Sequence, residues 1–271
     1  MRLACVVSLA SFGLPGILSA QAVSVYRHTP TDTLRYREVT QGSMELTTPQ
    51  GVVPIRTFHD ARMALAFGQR DTVRAWYTAL AISATSPQGE KTPDTRAALG
   101  IPFVLTLDSL GHAQTLTTPT FPHAFDDVSD LRLQFTDYFA PLPAQPLAPG
   151  VTWRDSLILV DSVPAGKRYE MRRWGEYRVV GDTVIADHRS LIVSAVVRVR
   201  MRNTTAEQGT PVSSELSGMD RGQFYWDPVR GRLLGRTRAA DLSGTLHMGA
   251  GAGGANFAQH MHYENRLELV E

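Results

Sequence analysis

Residues 121–156 read FPHAFDDVSDLRLQFTDYFAPLPAQPLAPGVTWRDS, and this stretch separates two parts of the chain that have a different pattern. Its first half places apolar residues at spacings of three and four, which is typical of one face of an α-helix. These residues are Phe121, Phe125, Val128, Leu131, Phe135 and Phe139. Four prolines between residues 141 and 149 prevent a helix from continuing. The stretch therefore predicts one helix over 121–139, followed by a proline-rich connector.

On both sides of this stretch the sequence carries the alternation and the turn signals of β-strands. Runs such as Met63–Phe67 and Thr72–Thr85 precede it, and six longer runs follow it. Short loops join these later runs, among them Gly181-Asp182 and the glycine-rich Gly249–Gly254. Loops of this length connect neighbouring antiparallel strands. The strands after the stretch should therefore form a meander.

Together these patterns predict a mainly β fold. We expect a curved antiparallel sheet or half-barrel of about eleven strands with one central helix, which is α+β by strict counting. A single β-rich domain should span 23–271. It should contain a first meander, the helix with its connector, and a second meander, over 33–118, 119–150 and 151–271.

The N-terminus has the composition of a secretory signal peptide over residues 1–22. Arg2 supplies a positive charge, Leu3–Leu18 is apolar, and Ala20-Gln21-Ala22 is a cleavage site of small residues. We predict cleavage near Ala22 and a secreted or periplasmic mature protein. The one cysteine, Cys5, lies inside this signal. No other apolar run approaches the length of a transmembrane segment.

Composition and motifs exclude several classes of function. The chain has 27 basic and 26 acidic residues, so loss of Arg2 leaves a formal charge of zero, which argues against a nucleic-acid partner. The run HMGAGAGGAN lacks the lysine of a phosphate-binding loop and joins two strands. No nucleophile elbow and no metalloprotease pattern occurs. We therefore predict that the protein is not an enzyme and needs no cofactor.

Three histidines near the C-terminus are the one candidate for metal chemistry. In a strand, His260 and His262 share a face, and His247 lies on the corresponding face of the preceding strand. Folding at Gly249–Gly254 could bring the three imidazoles together as a zinc or copper site. The alternative is that all three lie on a solvated face, which the charged neighbours of His262 favour.

Aromatic residues on alternating strand positions suggest a second kind of site. Tyr169, Met171 and Tyr177 share one face of a strand, with Trp174 on the other. A curved sheet wrapped around the predicted helix could use such residues to line an apolar cavity. The predicted ligand-binding residues are Phe125, Val128, Leu131, Phe135, Trp153, Tyr169, Tyr177, Phe224 and Trp226. The alternative is that these side chains are simply core.

The order of elements resembles a known group of proteins. A signal peptide, a meander, a helical insertion and a second meander that opens on Pro146–Trp153 look like uncharacterised secreted bacterial β proteins. Those are similar to the LolA/LppX-like lipoprotein-carrier superfamily. The resemblance implies a half-barrel that encloses an apolar cavity closed by helices. The chain departs from the carriers in its length and in lacking a lipid-anchor cysteine at the mature N-terminus.

Three functions follow from these patterns. The first is a secreted or periplasmic binding protein that holds a lipid or another apolar small molecule. The second is a structural or interaction module of the cell envelope whose core is filled entirely by its own side chains. The third is a metal-dependent enzyme or metal binder that uses His247, His260 and His262.

Overall fold

The computed structural model describes residues 25–29, 32–125, 128–135, 137–162, 167–185, 187–207, 210–249 and 254–270. The predicted signal peptide lies outside these ranges. Twelve strands form one antiparallel sheet. In chain order the strands are β1 (Thr33–Thr48), β2 (Gly51–Phe67), β3 (Thr72–Ser86), β4 (Gly89–Lys91), β5 (Phe103–Leu107), β6 (Ala113–Thr117), β7 (Thr152–Ser162), β8 (Arg168–Ile185), β9 (His188–Glu207), β10 (Thr210–Asp227), β11 (Arg232–Met248) and β12 (Ala255–Val270).

The sheet is mainly two meanders joined edge to edge. Its order is β6-β5-β3-β2-β1-β12-β11-β10-β9-β8-β7, and the three-residue strand β4 pairs with β3. The first and last long strands therefore lie side by side in the middle, with Tyr36 opposite Leu269. Strands β6 and β7 form the two edges and are not paired with each other among the described residues. The mainly β prediction is confirmed, with twelve strands in place of about eleven.

The predicted helix over 121–139 is wrong. The described part of this segment contains only two 3-10 turns, His123–Phe125 and Leu131–Leu133, and no α-helix occurs elsewhere in the described ranges. The second turn begins at Asp130, whose side chain accepts a hydrogen bond from the Arg132 backbone amide. Such local hydrogen bonds from side chain to backbone compete with the backbone hydrogen bonds of an α-helix. Contacts between this segment and the sheet then favour an irregular backbone conformation over an α-helix.

One predicted turn is also wrong. Gly181-Asp182 lies inside β8, next to a register shift between Val179 and Gly181, and the strand continues to Ile185. The chain reverses instead beside Asp187, which has a positive φ of 63°. Asp tolerates this left-handed backbone better than most residues because its short polar side chain can bond locally. Strands β1 and β2 are likewise longer than the sequence runs predicted.

The sheet curls around the segment that joins its two meanders. In this segment Phe135 packs against Phe103 of β5, and Asp137 forms an ion pair with Arg173 of β8. Seven strands stand between β5 and β8 in the sheet order, so the sheet must wrap around residues 135–137 to allow both contacts. We call the wrapped surface the inner face, the opposite surface the outer face, and residues 119–150 the connector.

Glycines on the inner face of β10 permit close approach to the next strand. A Cβ atom on Gly218 would lie 2.0 Å from the Asp241 carbonyl oxygen, and one on Gly222 would lie 2.0 Å from that of Thr237. Only a residue without a side chain fits such an approach. Glycine at these positions is a common means of bending a sheet. The glycines of β10 therefore allow its backbone to lie this close to β11.

The two edges of the sheet meet through a histidine. His112, in the turn between β5 and β6, has its Nε2 3.0 Å from Asp155 Oδ1 of β7. Its Nδ1 lies 2.9 Å from Asp108 Oδ2. We call these three residues the seam. At the seam, side-chain contacts therefore connect the two edges of the sheet, which backbone hydrogen bonds leave unpaired.

No helix in the described ranges is long and apolar enough to cross a membrane.

Candidate functional site

The connector covers the inner face of the sheet with apolar side chains. Phe125, Leu131 and Phe135 are each at most 2% exposed. Tyr138 is equally buried and packs edge-on against Tyr36 of β1. Sequence reasoning left Tyr138 out, although it follows Phe135 by three residues and Leu131 by seven and so shares their helical face. The stripe itself identified residues that face the sheet, although no helix presents them.

The predicted ligand residues lie on the inner face, in two groups on the sheet and one on the connector. Trp153 stacks on Tyr177 at 5.4 Å between ring centroids, and both contact Phe224. Trp226, with no exposed surface, packs edge-on against Tyr26 at 4.7 Å. These contacts are with other side chains of the chain itself. The remaining predicted residues are half-buried on this face or on the connector: Val128 and Tyr169.

A cavity lies beside these residues, and it is small. The connector and the inner face leave a pocket of about 40 Å³ between them, with Phe139, Tyr177 and Phe224 among the lining side chains. Pockets for drug-sized ligands are roughly 300–1,000 Å³. A volume of 40 Å³ is on the scale of water molecules. This cavity has no room for an acyl chain in the observed arrangement.

Charged side chains form a second layer on the inner face, next to the aromatic groups. Asp220 is 1% exposed and accepts hydrogen bonds from Arg173 at 3.0 Å and from Arg238 Nε at 2.9 Å. The Tyr263 hydroxyl donates to the same carboxylate at 3.2 Å. Asp137 of the connector pairs with Arg238 at 2.7 Å and also with Arg173. The connector is therefore fastened to the sheet by charge as well as by apolar contact.

A second carboxylate extends this network towards β1. Glu38 accepts a hydrogen bond from Asn265 Nδ2 at 2.7 Å and lies 3.5 Å from Arg236 Nη2. The Arg236 guanidinium also donates to the backbone carbonyl of Tyr138 at 2.8 Å. Gln134 of the connector donates to Glu38 as well. We call the whole set the inner network. Its charged members are balanced: Arg173, Arg236, Arg238, Glu38, Asp137 and Asp220.

The pKa values of Asp220 and Arg173 reflect the balance of charge in the inner network. Burial alone would raise the pKa of Asp220, but Arg238 and Arg173 outweigh it and hold that pKa below its usual value. Burial, together with repulsion from Arg238, lowers the pKa of Arg173 to about 10. At neutral pH these groups are therefore charged and pair with one another. Sequence reasoning missed this network because its members come from β1, β8, β10, β11, β12 and the connector.

A few buried polar atoms on the inner face have no partner among the described residues. They include His59 Nε2, the Tyr77 hydroxyl and the Tyr138 hydroxyl. The His59 and Tyr77 rings are 6.5 Å apart. Burial lowers the pKa of His59, although Glu38 and Asp60 act in the opposite direction. At neutral pH the imidazole of His59 is therefore uncharged.

The three C-terminal histidines point away from the inner face, as their alternation predicted. His247 lies opposite Asn256, whereas His260 lies opposite Ser243 on β11. Ser243 and His247 are four residues apart along one strand, which is about 13 Å. The pairing register therefore does not bring His247 beside His260. His262 bonds to Asp241 at 2.7 Å. In the described ranges no cluster of three or more His, Cys, Asp or Glu residues is arranged to hold a metal ion.

The outer face of β7–β10 carries a feature that sequence reasoning did not identify as a site. A shallow groove of about 970 Å³ is lined by Trp174, Arg198, Arg200 and the hydroxyl-bearing Ser217. Trp174 is 44% exposed, which is unusual for the largest apolar side chain. The alternation of arginine with valine in β9 is visible in the sequence, but a net charge summed over the chain conceals it. We call this feature the outer groove.

Comparison with known proteins gives no family. No family model matches the chain, and no curated protein matches it. Among solved structures, the crystal structure of an outer membrane channel from Pseudomonas putida F1 aligns over 95% of this chain and 100% of that chain. The identity is 10% and the TM-score is 0.19. A TM-score this low says nothing about the fold or function of this chain.

Proposed function

We propose that this protein is a secreted or periplasmic, non-enzymatic module of the cell envelope that meets its partners on its outside. The observation that carries the proposal is the filling of the inner face by the connector. The cavity left beside the predicted ligand residues measures about 40 Å³, far below the volume of a ligand pocket. The secreted location rests on the signal-peptide pattern of residues 1–22.

The inner network supports the same proposal. Its arginines and carboxylates pair with each other, and Asp137 and Gln134 of the connector are among the partners. Catalytic groups need a free charge or a proton to exchange in a cleft. Here the charges are used to hold the connector against the sheet. A fastening role therefore explains this cluster better than acid–base chemistry.

A lipid carrier is the second candidate, favoured by the position of the predicted ligand residues. All of them lie on the inner face or on the connector, the arrangement implied by the resemblance to the LolA/LppX-like lipoprotein-carrier superfamily. In a carrier the connector would have to leave the sheet, which breaks the ion pairs of Asp137 and uncovers Tyr138. The closed, charge-fastened arrangement favours the envelope module.

Lipid content distinguishes the two candidates. We expect native mass spectrometry of the purified protein to give the mass of the polypeptide alone, and organic extraction to yield no stoichiometric lipid. A fluorescent fatty acid should show no saturable binding. One bound lipid per chain, displaced by the fluorescent fatty acid, would overturn the envelope-module proposal and establish the carrier. Fractionation of the source cells should recover the protein outside the cytoplasm with its N-terminus near residue 23.

A further inference from the structure

We propose that the outer groove binds an acidic polysaccharide, with arginines pairing with its carboxylate groups and Trp174 stacking on a sugar ring. This inference rests on the proposed function, because it names the class of partner that the outside of the module would meet. The groove spans four neighbouring strands, β7 to β10.

The charge of this surface favours a polyanion. Eight arginines and three glutamates point outward from β7–β10, which leaves an excess of positive charge on this surface of a chain whose formal charge overall is close to zero. The glutamates are engaged by four of the arginines, for example Glu215 by Arg200 Nε at 2.9 Å. No carboxylate among the described residues lies within ion-pair distance of the other outward arginines in the middle of the surface. These are Arg178, Arg198, Arg202 and Arg221.

The spacing of these charges favours a polymer with a regular repeat. Arg198, Arg200 and Arg202 follow one another on the outer side of β9, about 6.6 Å apart along the strand. Adjacent strands add further rows about 4.8 Å away. Guanidinium groups bind carboxylates in a planar, bidentate manner. A chain of carboxylated sugars offers one such group per residue and can follow the row.

The groove also has the features that a sugar ring requires. Trp174 lies directly opposite Ser156 of β7 on one side and Arg198 of β9 on the other. An exposed indole offers a flat apolar surface to the C–H face of a sugar. Ser156 and Ser217, both in the groove lining, supply hydroxyls that donate and accept hydrogen bonds. Aromatic, hydroxyl and cationic groups therefore meet in one place.

The shape of the groove separates this partner from other polyanions. A planar anionic membrane needs apolar side chains that project from the surface, and the exposed ones near here, Ile158 and Val160, lie on the edge strand β7 outside the groove lining, whereas Trp174 lines a depression. A single-stranded nucleic acid needs several aromatic platforms for successive bases. The groove lining contains one aromatic residue, Trp174. A flexible, acidic glycan is the partner that fits the depression, the charge and the single ring.

Binding of two carboxylated polymers, polygalacturonate and alginate, to the full chain tests the inference by isothermal titration calorimetry. Fully methyl-esterified polygalacturonate is the neutral control. We expect binding of the acidic polymers, weakened by added salt. The variants Trp174→Ala and Arg198→Glu should each lower the affinity about tenfold or more. Arg56→Glu is the matched control, since Arg56 is an exposed, outward arginine on β2 that forms no ion pair with any carboxylate in the part of the chain that the structure describes.

Several outcomes would overturn the inference. They are equal affinity for the methyl ester, equal losses in Arg56→Glu and Arg198→Glu, or no binding of either acidic polymer. Binding of phosphatidylglycerol vesicles without binding of the polymers would assign the surface to a membrane instead. All variants should keep the unfolding midpoint of the parent chain, which a thermal melt checks. None of these results changes the lipid content of the protein, so failure here is distinct from failure of the proposed function.

Discussion

The two faces of this sheet carry arginine in two different states. On the inner face Arg173 and Arg238 share the buried carboxylate of Asp220, whereas on the outer face Arg198 stands exposed with no carboxylate of the described ranges within ion-pair distance. Burying an unpaired guanidinium is costly, so the inner arginines need their carboxylates for the fold to exist. An exposed arginine costs little because water solvates it. Charge on the inner face therefore serves stability, while charge on the outer face is accessible to a partner.

Removal of a carboxylate from the inner network should have the largest effect on stability. Asp220→Asn leaves Arg173 and Arg238 buried with no carboxylate on the sheet between them. We expect the free energy of unfolding to fall by about 3–5 kcal/mol, because one partner of a buried pair is lost. Urea unfolding followed by tryptophan fluorescence measures the change.

The matched control lies on the outer face. Asp241 is a strand aspartate bonded to His262, but its side chain is 61% exposed. Asp241→Asn should change the free energy of unfolding by less than about 0.5 kcal/mol. Similar losses of unfolding free energy in the two variants would show that a buried carboxylate of the inner network stabilises the fold no more than an exposed one. That result would contradict the distinction drawn between the two faces.

Trimming the connector tests the apolar half of the inner face. Leu131 is 2% exposed against the sheet, and Leu131→Ala should lower the free energy of unfolding by about 2–5 kcal/mol. Leu116→Ala, on a strand position that is 57% exposed, should change it by less than about 0.5 kcal/mol. Denaturant unfolding measures both. A Leu131→Ala protein that gains saturable fatty-acid binding would instead identify the connector as a removable plug.

Much of the sheet was predictable because alternation along a strand is a local property. Arg198 and Arg200 face outward and Val197 and Val199 inward, as their positions in the sequence indicated. Likewise, the outward direction of His262 followed from its charged neighbours. Where the pattern is local, the side of the sheet follows from sequence without knowledge of the fold.

The sequence predictions were wrong where contacts between residues far apart in the chain determine the local structure. Residues 121–139 have a helical spacing, yet Tyr138 and Phe135 find partners on β1 and β5, which are far apart in sequence. The gain from those contacts exceeds a weak helical preference. The pairing of β1 with β12 and the inner network are also non-local, and no spacing rule reveals them.

The inner and outer faces should also differ in their tolerance of a methyl group. Gly222→Ala places a Cβ atom 2.0 Å from the Thr237 carbonyl oxygen, so β10 and β11 must separate. We expect a loss of about 1–3 kcal/mol in the free energy of unfolding. Gly181→Ala in β8 is the control, since nothing lies within 4 Å of its Cβ position. A neutral effect of Gly222→Ala in chemical denaturation would mean that the close strand approach is absent in solution.

The smallest expected effect lies at the seam, where the two edges of the sheet meet. Burial alone would lower the pKa of His112, but hydrogen bonds to Asp108 and Asp155 outweigh it and raise that pKa above its ordinary value of 6.5. A raised folded-state pKa means that the stabilisation is fully present below pH 6.5 and is lost as the pH rises through the folded-state value. Because the ring is nearly half exposed, we expect less than about 1 kcal/mol.

The carboxylate side of the seam sets the lower limit of the pH window. Burial would raise the pKa of Asp108, but bonds from His112 outweigh it and lower that pKa below 3.8, so its contribution is lost as the pH falls through the depressed value. The free energy of unfolding of the parent chain minus that of His112→Asn should therefore be largest between about pH 4 and 6.5 and should shrink towards pH 8. Asp155→Asn should flatten the same curve from the opposite edge. A difference that is constant from pH 5 to 8 would show that His112 does not join the edges by charge, which would leave the connector as what holds the curled sheet together.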